Sequence, residues 1–308
     1  MMVDFGLALL ERHPKTALTQ WMDDLDVLLP KLEGRFKSLW MTDHLFWGEL
    51  FAYEAWTALS FLAARFPAFD VGPMVMGQSY RNPALLAKMA STLQVFSEGR
   101  FVMGIGAGWK EDEYRGYGYD LPSAGVRLEQ LEETIEIFKL LWNQPGKVSY
   151  QGKHYRLDEA ILEPKPVPVP PICVGVKGDK ALRIAAKHAD WWNISDANLT
   201  VFSDRMRVLD EHCEQVGRDP KSIRRTWFGR MVVGRTEAEA NALSTSRETA
   251  WTRERAFVGT PAQIVEQMSA YTALGCNYFM VDIVGLPNDD VVGMITEEIV
   301  PGVQKAAG

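Results

Sequence analysis

Short apolar runs alternate with longer amphipathic segments along most of the chain. Apolar runs rich in β-branched residues predict buried strands, whereas apolar residues at three- and four-residue intervals predict helices. This alternation is typical of repeated βα units around a parallel sheet. The predicted strands cover residues 3–9, 37–41, 71–76, 101–105, 172–176, 191–194, 224–233 and 278–283. Eight units of this kind predict an α/β fold that closes into a (β/α)8 barrel.

Helical periodicity fills the intervals between these strands. At Asn82-Pro83 and Thr260-Pro261, a side chain that can cap a helix start precedes a proline. Proline is tolerated in the first turn of a helix, because the N–H group that it lacks would have no partner within the helix there. Thr260 together with Gln263 also predicts a capping box. The predicted helices cover residues 16–32, 53–66, 83–96, 127–142, 180–188 and 201–216, with further helices after Thr236 and Thr260.

No internal repeat, low-complexity tract or Gly/Ser linker divides the chain into two halves. Its 308 residues suit one barrel, so residues 1–308 are predicted to form a single domain. The stretch 147–171 breaks the βα rhythm. Gln151-Gly152 is typical of a turn between short strands, and five prolines lie between positions 164 and 171. We predict an inserted loop around residues 147–171.

Composition narrows the possible partners and compartment. Hydrophobic residues make up 47% of the chain and charged residues 24%, which excludes global disorder. The formal net charge of -7 attracts neither nucleic acid nor anionic lipid, so we expect neither as a partner. No apolar run reaches the ~20 residues that span a bilayer, and the first residues lack a secretion signal. We expect a cytoplasmic protein whose Cys173, Cys213 and Cys276 are reduced and buried.

Asp43 and His44 follow the second predicted strand. In a (β/α)8 barrel the active site is built from the loops at the carboxyl ends of the strands. A carboxylate beside an imidazole can fix its tautomer and keep it available as a proton carrier. Phe46 and Trp47 would add apolar walls to a ligand cleft. The alternative interpretation is that Asp43 and His44 are a capping or packing pair.

A glycine-rich segment follows the fourth predicted strand and reads Gly104-Ile105-Gly106-Ala107-Gly108-Trp109. Glycines here would let a flat or anionic ligand approach the backbone closely. We reject a dinucleotide-binding Rossmann motif, because no helix starts at once and no acidic residue ends a second strand at the required distance. The alternative is that these glycines only accommodate a crowded barrel turn.

The segment Gly175-Val176-Lys177-Gly178-Asp179 leads from the fifth predicted strand into a helix. Free N–H groups at a helix start, together with the Lys177 ammonium, can bind a phosphate, and barrels often bind a cofactor phosphate at such a turn. An ordinary strand-to-helix connection is the alternative. The histidines show no metal-ligand spacing, so no metal site is predicted. The usual markers of serine acyl transfer and nucleoside triphosphate hydrolysis are also missing.

These segments resemble one family, the luciferase-like flavin-dependent oxidoreductases, and in particular its branch predicted to use the deazaflavin coenzyme F420. The resemblance extends nearly from end to end, and the order and spacing of its motifs make it specific. Besides the glycine-rich segment, the motifs are Thr42-Asp43-His44-Leu45, Tyr80-Arg81-Asn82-Pro83, Ser97-Glu98-Gly99-Arg100, Tyr117-Gly118, Leu131-Glu132-Glu133, Gly152-Lys153-His154-Tyr155, Pro164-Lys165-Pro166, Ala189-Asp190-Trp191-Trp192-Asn193 and Val258-Gly259-Thr260-Pro261.

The resemblance implies a bacterial-luciferase-like TIM barrel with the cofactor ring across the strand ends and its phosphate near the turn after the fifth strand. Asp43 and His44 would border the reactive face, and Met74 would lie in a third-strand bulge under the ring. Members often carry a nonprolyl cis peptide in that bulge, here near Pro73-Met74. The residues implied to bind the cofactor are Asp43, Met74, Gly106, Ala107, Gly108, Gly175, Lys177, Gly178 and Asn193.

Two departures from the family pattern bear on the substrate and the cofactor. Sugar-phosphate dehydrogenases of the family place a Glu where this chain has Trp109, which argues against a sugar-phosphate substrate. Many relatives have a second glycine where this chain has Lys177. The added charge could contribute to binding of a phosphate or a polyglutamate tail, or could point to solvent.

The leading hypothesis is an F420-dependent oxidoreductase that moves a hydride between the deazaflavin and an organic substrate, with His44 exchanging the proton. An FMN-dependent monooxygenase that uses reduced FMN and oxygen is the alternative, and a catalytically silent flavin-binding barrel is a third hypothesis. Trp47, Trp109 and Tyr114 would wall the cleft and favour an apolar or aromatic small molecule. A homodimer and a separate flavin or F420 reductase are the candidate partners.

Overall fold

The structure is a computed structural model that describes residues 2–10, 20–48, 52–245 and 253–308. Strands in these ranges follow the apolar runs of the sequence closely. They are β1 (Asp4–Leu9), β2 (Ser38–Met41), β3 (Asp70–Pro73), β4 (Met76–Gly77), β5 (Met103–Gly106), β6 (Lys147–Gln151), β7 (Arg156–Ile161), β8 (Ile172–Gly175), β9 (Trp191–Ser195), β10 (Arg224–Val233), β11 (Ala256–Gly259) and β12 (Tyr278–Ile283).

The main sheet is parallel and curls into a barrel. Its order is β3-β2-β1-β12-β10-β9-β8-β5-β4, and β11 pairs with β10 beside this path. A parallel bridge between Val71 of β3 and Phe101, just before β5, closes the circle. The eight predicted strands are therefore confirmed as barrel positions, although the third is divided into β3 and β4. The short β11 is an addition that the sequence pattern did not predict.

Helices alternate with the barrel strands and cover their outer face. The predicted helices are confirmed to within a few residues, except that positions 16–19 lie outside the described residues, and α4, α10 and α11 were not predicted. The helices are α1 (Gln20–Leu32), α2 (Ala55–Arg65), α3 (Pro83–Phe96), α4 (Glu111–Tyr117), α5 (Ala124–Asn143), α6 (Asp179–His188), α7 (Leu199–Gln215), α8 (Glu237–Ser244), α9 (Pro261–Ala273), α10 (Asp289–Gly293) and α11 (Val300–Ala307).

Capping chemistry fixes several of these helix starts. The Asn82 side chain accepts hydrogen bonds from the backbone N–H groups of Ala84 and Leu85, at 2.9 and 3.2 Å. The capping box of Thr260 and Gln263 is also present, as predicted. Apolar side chains from the strands and the inner helix faces form one large core, and the barrel strands are buried almost throughout because helices cover them.

The predicted inserted loop around residues 147–171 is only partly a loop. Its first part is an antiparallel hairpin of β6 and β7. The proline-rich part then packs on α3, where the Gln94 amide donates a 2.8 Å hydrogen bond to the Pro168 carbonyl. The three cysteines are buried and reduced, as predicted. Among the helices of the described ranges, none is both long and apolar enough to cross a bilayer.

Candidate active site

A cavity of about 500 Å³ opens at the carboxyl ends of the barrel strands. This is the end where (β/α)8 barrels build their active sites. Most of the predicted site residues line it: Asp43, His44, Trp47, Met74, Gly106, Ala107, Gly108, Trp109, Gly175, Lys177 and Asn193. Two others, Tyr114 and Gly178, are not among its lining residues. These lining residues come from segments that are far apart in sequence, and the barrel topology brings them together at one site.

Asp43 is held by an ion pair rather than by His44. The Arg81 guanidinium donates to both carboxylate oxygens, at 2.7 and 3.0 Å, and the Gly77 N–H adds a 3.0 Å bond. Burial raises the pKa of the Asp43 carboxyl, and Arg81 opposes that shift. Arg81 also bonds to Glu54. The expectation that Asp43 orients the His44 ring is therefore wrong.

Glu113 holds the His44 ring instead. The Nδ1 atom of His44 lies 3.1 Å from both carboxylate oxygens of Glu113, whose side chain is 1% exposed. The same carboxylate accepts from the N–H groups of Leu45 and Phe46, at 3.0 and 3.3 Å, and from the Tyr80 hydroxyl at 3.2 Å. An ionised carboxylate can only accept hydrogen bonds, so this contact favours the tautomer with the proton on Nδ1 and leaves Nε2 for a ligand.

Gly108 makes this placement of Glu113 possible. Gly108 has a left-handed φ of 72°, and a Cβ there would lie 2.0 Å from the Tyr114 hydroxyl. The backbone turns tightly at this point and lets α4 pack against the barrel end, with Glu113 in its first turn. Sequence reasoning assigned no role to Glu113, because it lies 69 positions from His44 along the chain.

Aromatic rings surround His44 on the open side of the cavity. Trp47 and Trp109 both meet the imidazole edge to face, with ring centroids 4.7 and 5.9 Å away. Trp109 is 64% exposed and Trp47 is 39% exposed. The prediction that these two residues wall the cleft agrees with their position at its mouth.

Tyr114 does not wall the cleft. Its side chain is buried, and its hydroxyl donates a 3.2 Å hydrogen bond to Ser79. Tyr80 and Tyr119 pack around it, with centroids 4.9 and 6.5 Å away. Tyr114 therefore fixes α4 to the barrel and is corrected from a cleft residue to a packing residue.

The floor of the cavity is formed where β3 gives way to β4. The peptide bond between Met74 and Val75 is a nonprolyl cis bond, one bond beyond the expected position near Pro73-Met74. A Cβ on Gly106 would lie 2.7 Å from the Val75 side chain, and one on Gly175 would lie 2.9 Å from it. Packing of the protein itself therefore requires glycine at both positions. For Gly106, this agrees with the alternative that the glycine-rich segment accommodates a crowded barrel turn.

Gly178, by contrast, is not required by packing. It is the N-cap of α6, with no side-chain cap, and a Cβ there would meet nothing within 4 Å among the described residues. Its φ of -74° suits any residue. The helix start therefore presents uncapped N–H groups to open space, next to Lys177 at the cavity edge. These features fit a bound phosphate.

Asn193 and Asp196 complete the wall formed by β9. The Asn193 amide donates 2.9 Å to the Thr226 hydroxyl and is buried. Asp196, just beyond the strand, has a left-handed φ of 51° and a buried Oδ1 without a hydrogen-bond partner among the described residues. Burial raises the pKa of Asp196 to about 7. Sequence reasoning missed Asp196, and its place after a strand was the available signal.

One group of possible metal ligands lies outside the cavity. Glu132, Glu136 and His188 have ligand atoms within 4.8 Å of one another. Lys187 already pairs with Glu132 at 2.6 Å, which neutralises one of the two carboxylates. None of these residues lines the cavity.

Comparisons with known proteins find similar sequences and a similar fold. The family model of luciferase-like monooxygenases matches residues 33–253. A phthiodiolone/phenolphthiodiolone dimycocerosates ketoreductase from Mycobacterium sp. (strain JLS) is 30% identical over 220 residues, which cover 63% of this chain and 57% of the ketoreductase. An F420-dependent glucose-6-phosphate dehydrogenase from Microbacterium testaceum (strain StLB037) is 26% identical over 310 residues, covering 89% of this chain and 90% of the dehydrogenase.

A solved structure shares the whole architecture. An F420-dependent secondary alcohol dehydrogenase, in complex with an F420-acetone adduct, matches with a TM-score of 0.84. The match covers 98% of this chain and 99% of that one at 19% sequence identity. At this level of identity the similarity shows the fold alone.

Proposed function

This chain belongs to the luciferase-like monooxygenase family, and from that premise we propose that it is an F420-dependent oxidoreductase acting on an alcohol–ketone pair. The names of two relatives describe chemistry at a ketone or a secondary alcohol. Trp109 replaces the acid expected for a sugar-phosphate substrate, so we propose an apolar or aromatic alcohol instead. The cofactor class, a flavin or deazaflavin, follows from the relatives, and the choice of F420 is part of the proposal.

The observation that carries this proposal is the contact between His44 Nδ1 and the buried Glu113 carboxylate. Oxidation of an alcohol to a ketone removes a hydride from carbon and a proton from oxygen, so the enzyme needs a proton acceptor beside the hydroxyl. His44 lines the cavity with its Nδ1 occupied by Glu113, which leaves Nε2 to accept that proton. In the direction of ketone reduction, the same Nε2 would return the proton to the oxygen.

The remaining residues would position the reactants. When bound, F420 would accept the hydride from the alcohol carbon or return it to the ketone carbon. Met74, Val75 and the backbone of Gly106–Gly108 would support the ring, and Lys177 with the uncapped start of α6 would hold the phosphate. Trp47 and Trp109 would exclude water around His44 and bind the apolar part of the substrate.

The test is a binding measurement followed by a turnover measurement. Purified protein is dialysed to equilibrium against F420 and, separately, against FMN, and the F420 complex is then mixed with 1-phenylethanol while the absorbance of oxidised F420 is followed. We expect F420 to bind more tightly and its absorbance to fall with the alcohol. Tight FMN binding without F420 affinity would favour the monooxygenase instead.

A control variant separates catalysis from simple binding. In His44→Gln, the absorbance should remain constant with the same alcohol while F420 affinity is retained. If both proteins bind F420 and neither oxidises this alcohol or reduces acetophenone, the alcohol–ketone assignment is wrong. If turnover survives in His44→Gln, the proton-transfer role of His44 is wrong.

A further inference from the structure

Asp196 is the one cavity-lining carboxylate of the described residues that has a buried oxygen without a hydrogen-bond partner. The other two carboxylates that line the cavity, Asp43 and Glu113, each bind several donors. The backbone holds Asp196 in place, because its N–H donates a 2.8 Å hydrogen bond to the Phe228 carbonyl on β10. Aspartate tolerates the left-handed conformation better than most residues, so this placement is sterically accessible.

Asp196 lies beside the expected phosphate site. Strands β8 and β9 are paired so that Gly175 lies next to Asn193, and the Val176 N–H donates a 3.2 Å hydrogen bond to the Asn193 carbonyl. The segments that follow, with Lys177 on one and Asp196 on the other, therefore leave the sheet side by side and both line the cavity. A negative charge on Asp196 would act directly on an anion bound at Lys177.

The charged groups around Asp196 come from several elements. Lys177 and Arg255 favour its ionised form, and Asp282 on β12 opposes it. Asp282 is itself paired with Arg230 of β10 at 2.7 Å. Burial is the largest influence on Asp196 and favours its neutral form. The carboxyl therefore changes charge within the neutral pH range.

We propose that Asp196 is a specificity residue for the cofactor phosphate, disfavouring the phosphomonoester of FMN relative to the phosphodiester of F420. This inference rests on the proposed function. A phosphomonoester carries close to two negative charges above pH 7, whereas a phosphodiester carries one. Since Coulomb repulsion is proportional to charge, an ionised Asp196 penalises FMN about twice as strongly in free energy as F420.

The experiment compares three ligands with the wild-type protein and Asp196→Asn. Dissociation constants for FMN, F420 and riboflavin, which has no phosphate, are measured by equilibrium dialysis at low salt and at pH 6 and pH 8. At pH 8, Asp196→Asn should strengthen FMN binding by about tenfold and F420 binding by about threefold, and leave riboflavin unchanged. At pH 6, where the wild-type carboxyl is largely protonated, the two proteins should differ little.

Two controls make the result specific. Asp158→Asn removes an equal charge from an exposed position on β7 and should change none of the three affinities. Asp196→Gly suits the left-handed backbone and should reproduce the asparagine result. Equal effects on FMN and F420, an effect on riboflavin, or no effect at pH 8 would each overturn the specificity role while leaving the proposed function intact. If the wild-type protein binds neither F420 nor FMN, the proposed function fails, and this inference fails with it.

Discussion

The two walls of the cavity differ in whether their polar groups have hydrogen-bond partners within the protein. On the side of β2 and α4, the carboxylates of Asp43 and Glu113 are buried and accept hydrogen bonds from Arg81, His44 and backbone N–H groups. On the side of β8 and β9, α6 starts without a side-chain cap, and Asp196 keeps a buried oxygen without a partner among the described residues.

This difference separates a wall whose polar groups are satisfied within the protein from a wall that keeps polar groups unsatisfied. Buried polar groups are nearly always hydrogen-bonded, because leaving one unsatisfied costs about 1–3 kcal/mol. On the Glu113 side, the buried carboxylates have hydrogen-bond partners within the protein, and Glu113 can hold His44 in one orientation. The Asp196 side retains unsatisfied groups next to Lys177 and the start of α6, where we propose that the cofactor phosphate binds.

The largest effect should come from His44, the group that the satisfied wall holds in position. His44→Ala should reduce turnover with F420 and the alcohol by a factor on the order of a hundred to ten thousand, the usual contribution of a positioned acid or base. Cofactor affinity should stay within about threefold of the wild type. Both quantities are measured on one preparation. A normal rate per folded molecule, accompanied by a lower melting temperature, would identify His44 as a packing residue.

Replacement of Glu113 tests whether its hydrogen bonds to His44 and to the backbone are needed for both stability and turnover. Glu113→Ala should lower the free energy of unfolding by about 2–4 kcal/mol, because it leaves several buried donors without an acceptor. Glu113→Gln should lose less stability, since its carbonyl still accepts from the backbone. Its turnover should nevertheless fall about tenfold to a hundredfold, because an amide N–H facing Nδ1 favours the wrong tautomer. If the Gln variant has normal turnover, Glu113 does not fix the tautomer.

On the unsatisfied wall, Asp196 should make the ligand-free protein less stable as the pH rises. Burial raises the pKa of Asp196 to about 7, above the ordinary value of 3.8. The folded protein therefore holds this proton more tightly than the unfolded chain does, and stability is lost as the pH rises from about 4 to 7. Asp196→Asn should be more stable than the wild type at pH 8 by about 1–3 kcal/mol, and about equal at pH 4. Urea unfolding at the two pH values measures this difference, and a constant gap would contradict it.

Charge reversal at Lys177 should have the smallest effect of these changes. Lys177→Glu places an anion beside the uncapped start of α6 and should weaken F420 binding by about tenfold at low salt. The loss should shrink at high salt, because screening reduces the repulsion. Lys180→Glu, in the exposed first turn of the same helix, is the matched control for the helix start. Unchanged affinity in Lys177→Glu would place its side chain in solvent.

The sequence predicted the barrel well, because its signals are local. Residues 83–96 were predicted as a helix and form α3 with the same bounds, since Asn82 and Pro83 define its start chemically. The short strand β11, Ala256–Gly259, was missed, and its length does not explain this, because β2 is equally short and was predicted. Helix α4 was missed because its seven residues are largely charged and are bounded by glycine turns.

The candidate site was predicted less completely, because it depends on contacts between distant segments. Asp43 and His44 were found from their place after a strand, but their partners Arg81 and Glu113 lie 38 and 69 residues away. No periodicity links such positions. Tyr114 looked like a cleft residue in sequence, yet α4 turns its ring inward.

The two tryptophans at the cavity mouth allow ligand binding to be followed by intrinsic fluorescence. Trp47 and Trp109 lie beside His44 and are partly or largely exposed. Flavins and deazaflavins absorb where tryptophan emits, so a ring bound on the floor near Met74 would quench their fluorescence by energy transfer. A Trp47→Phe, Trp109→Phe double variant would retain the background emission of the other eight tryptophans of the chain's ten. Subtracting that background would isolate the signal from the cavity, and occupancy could then be followed during turnover without a label.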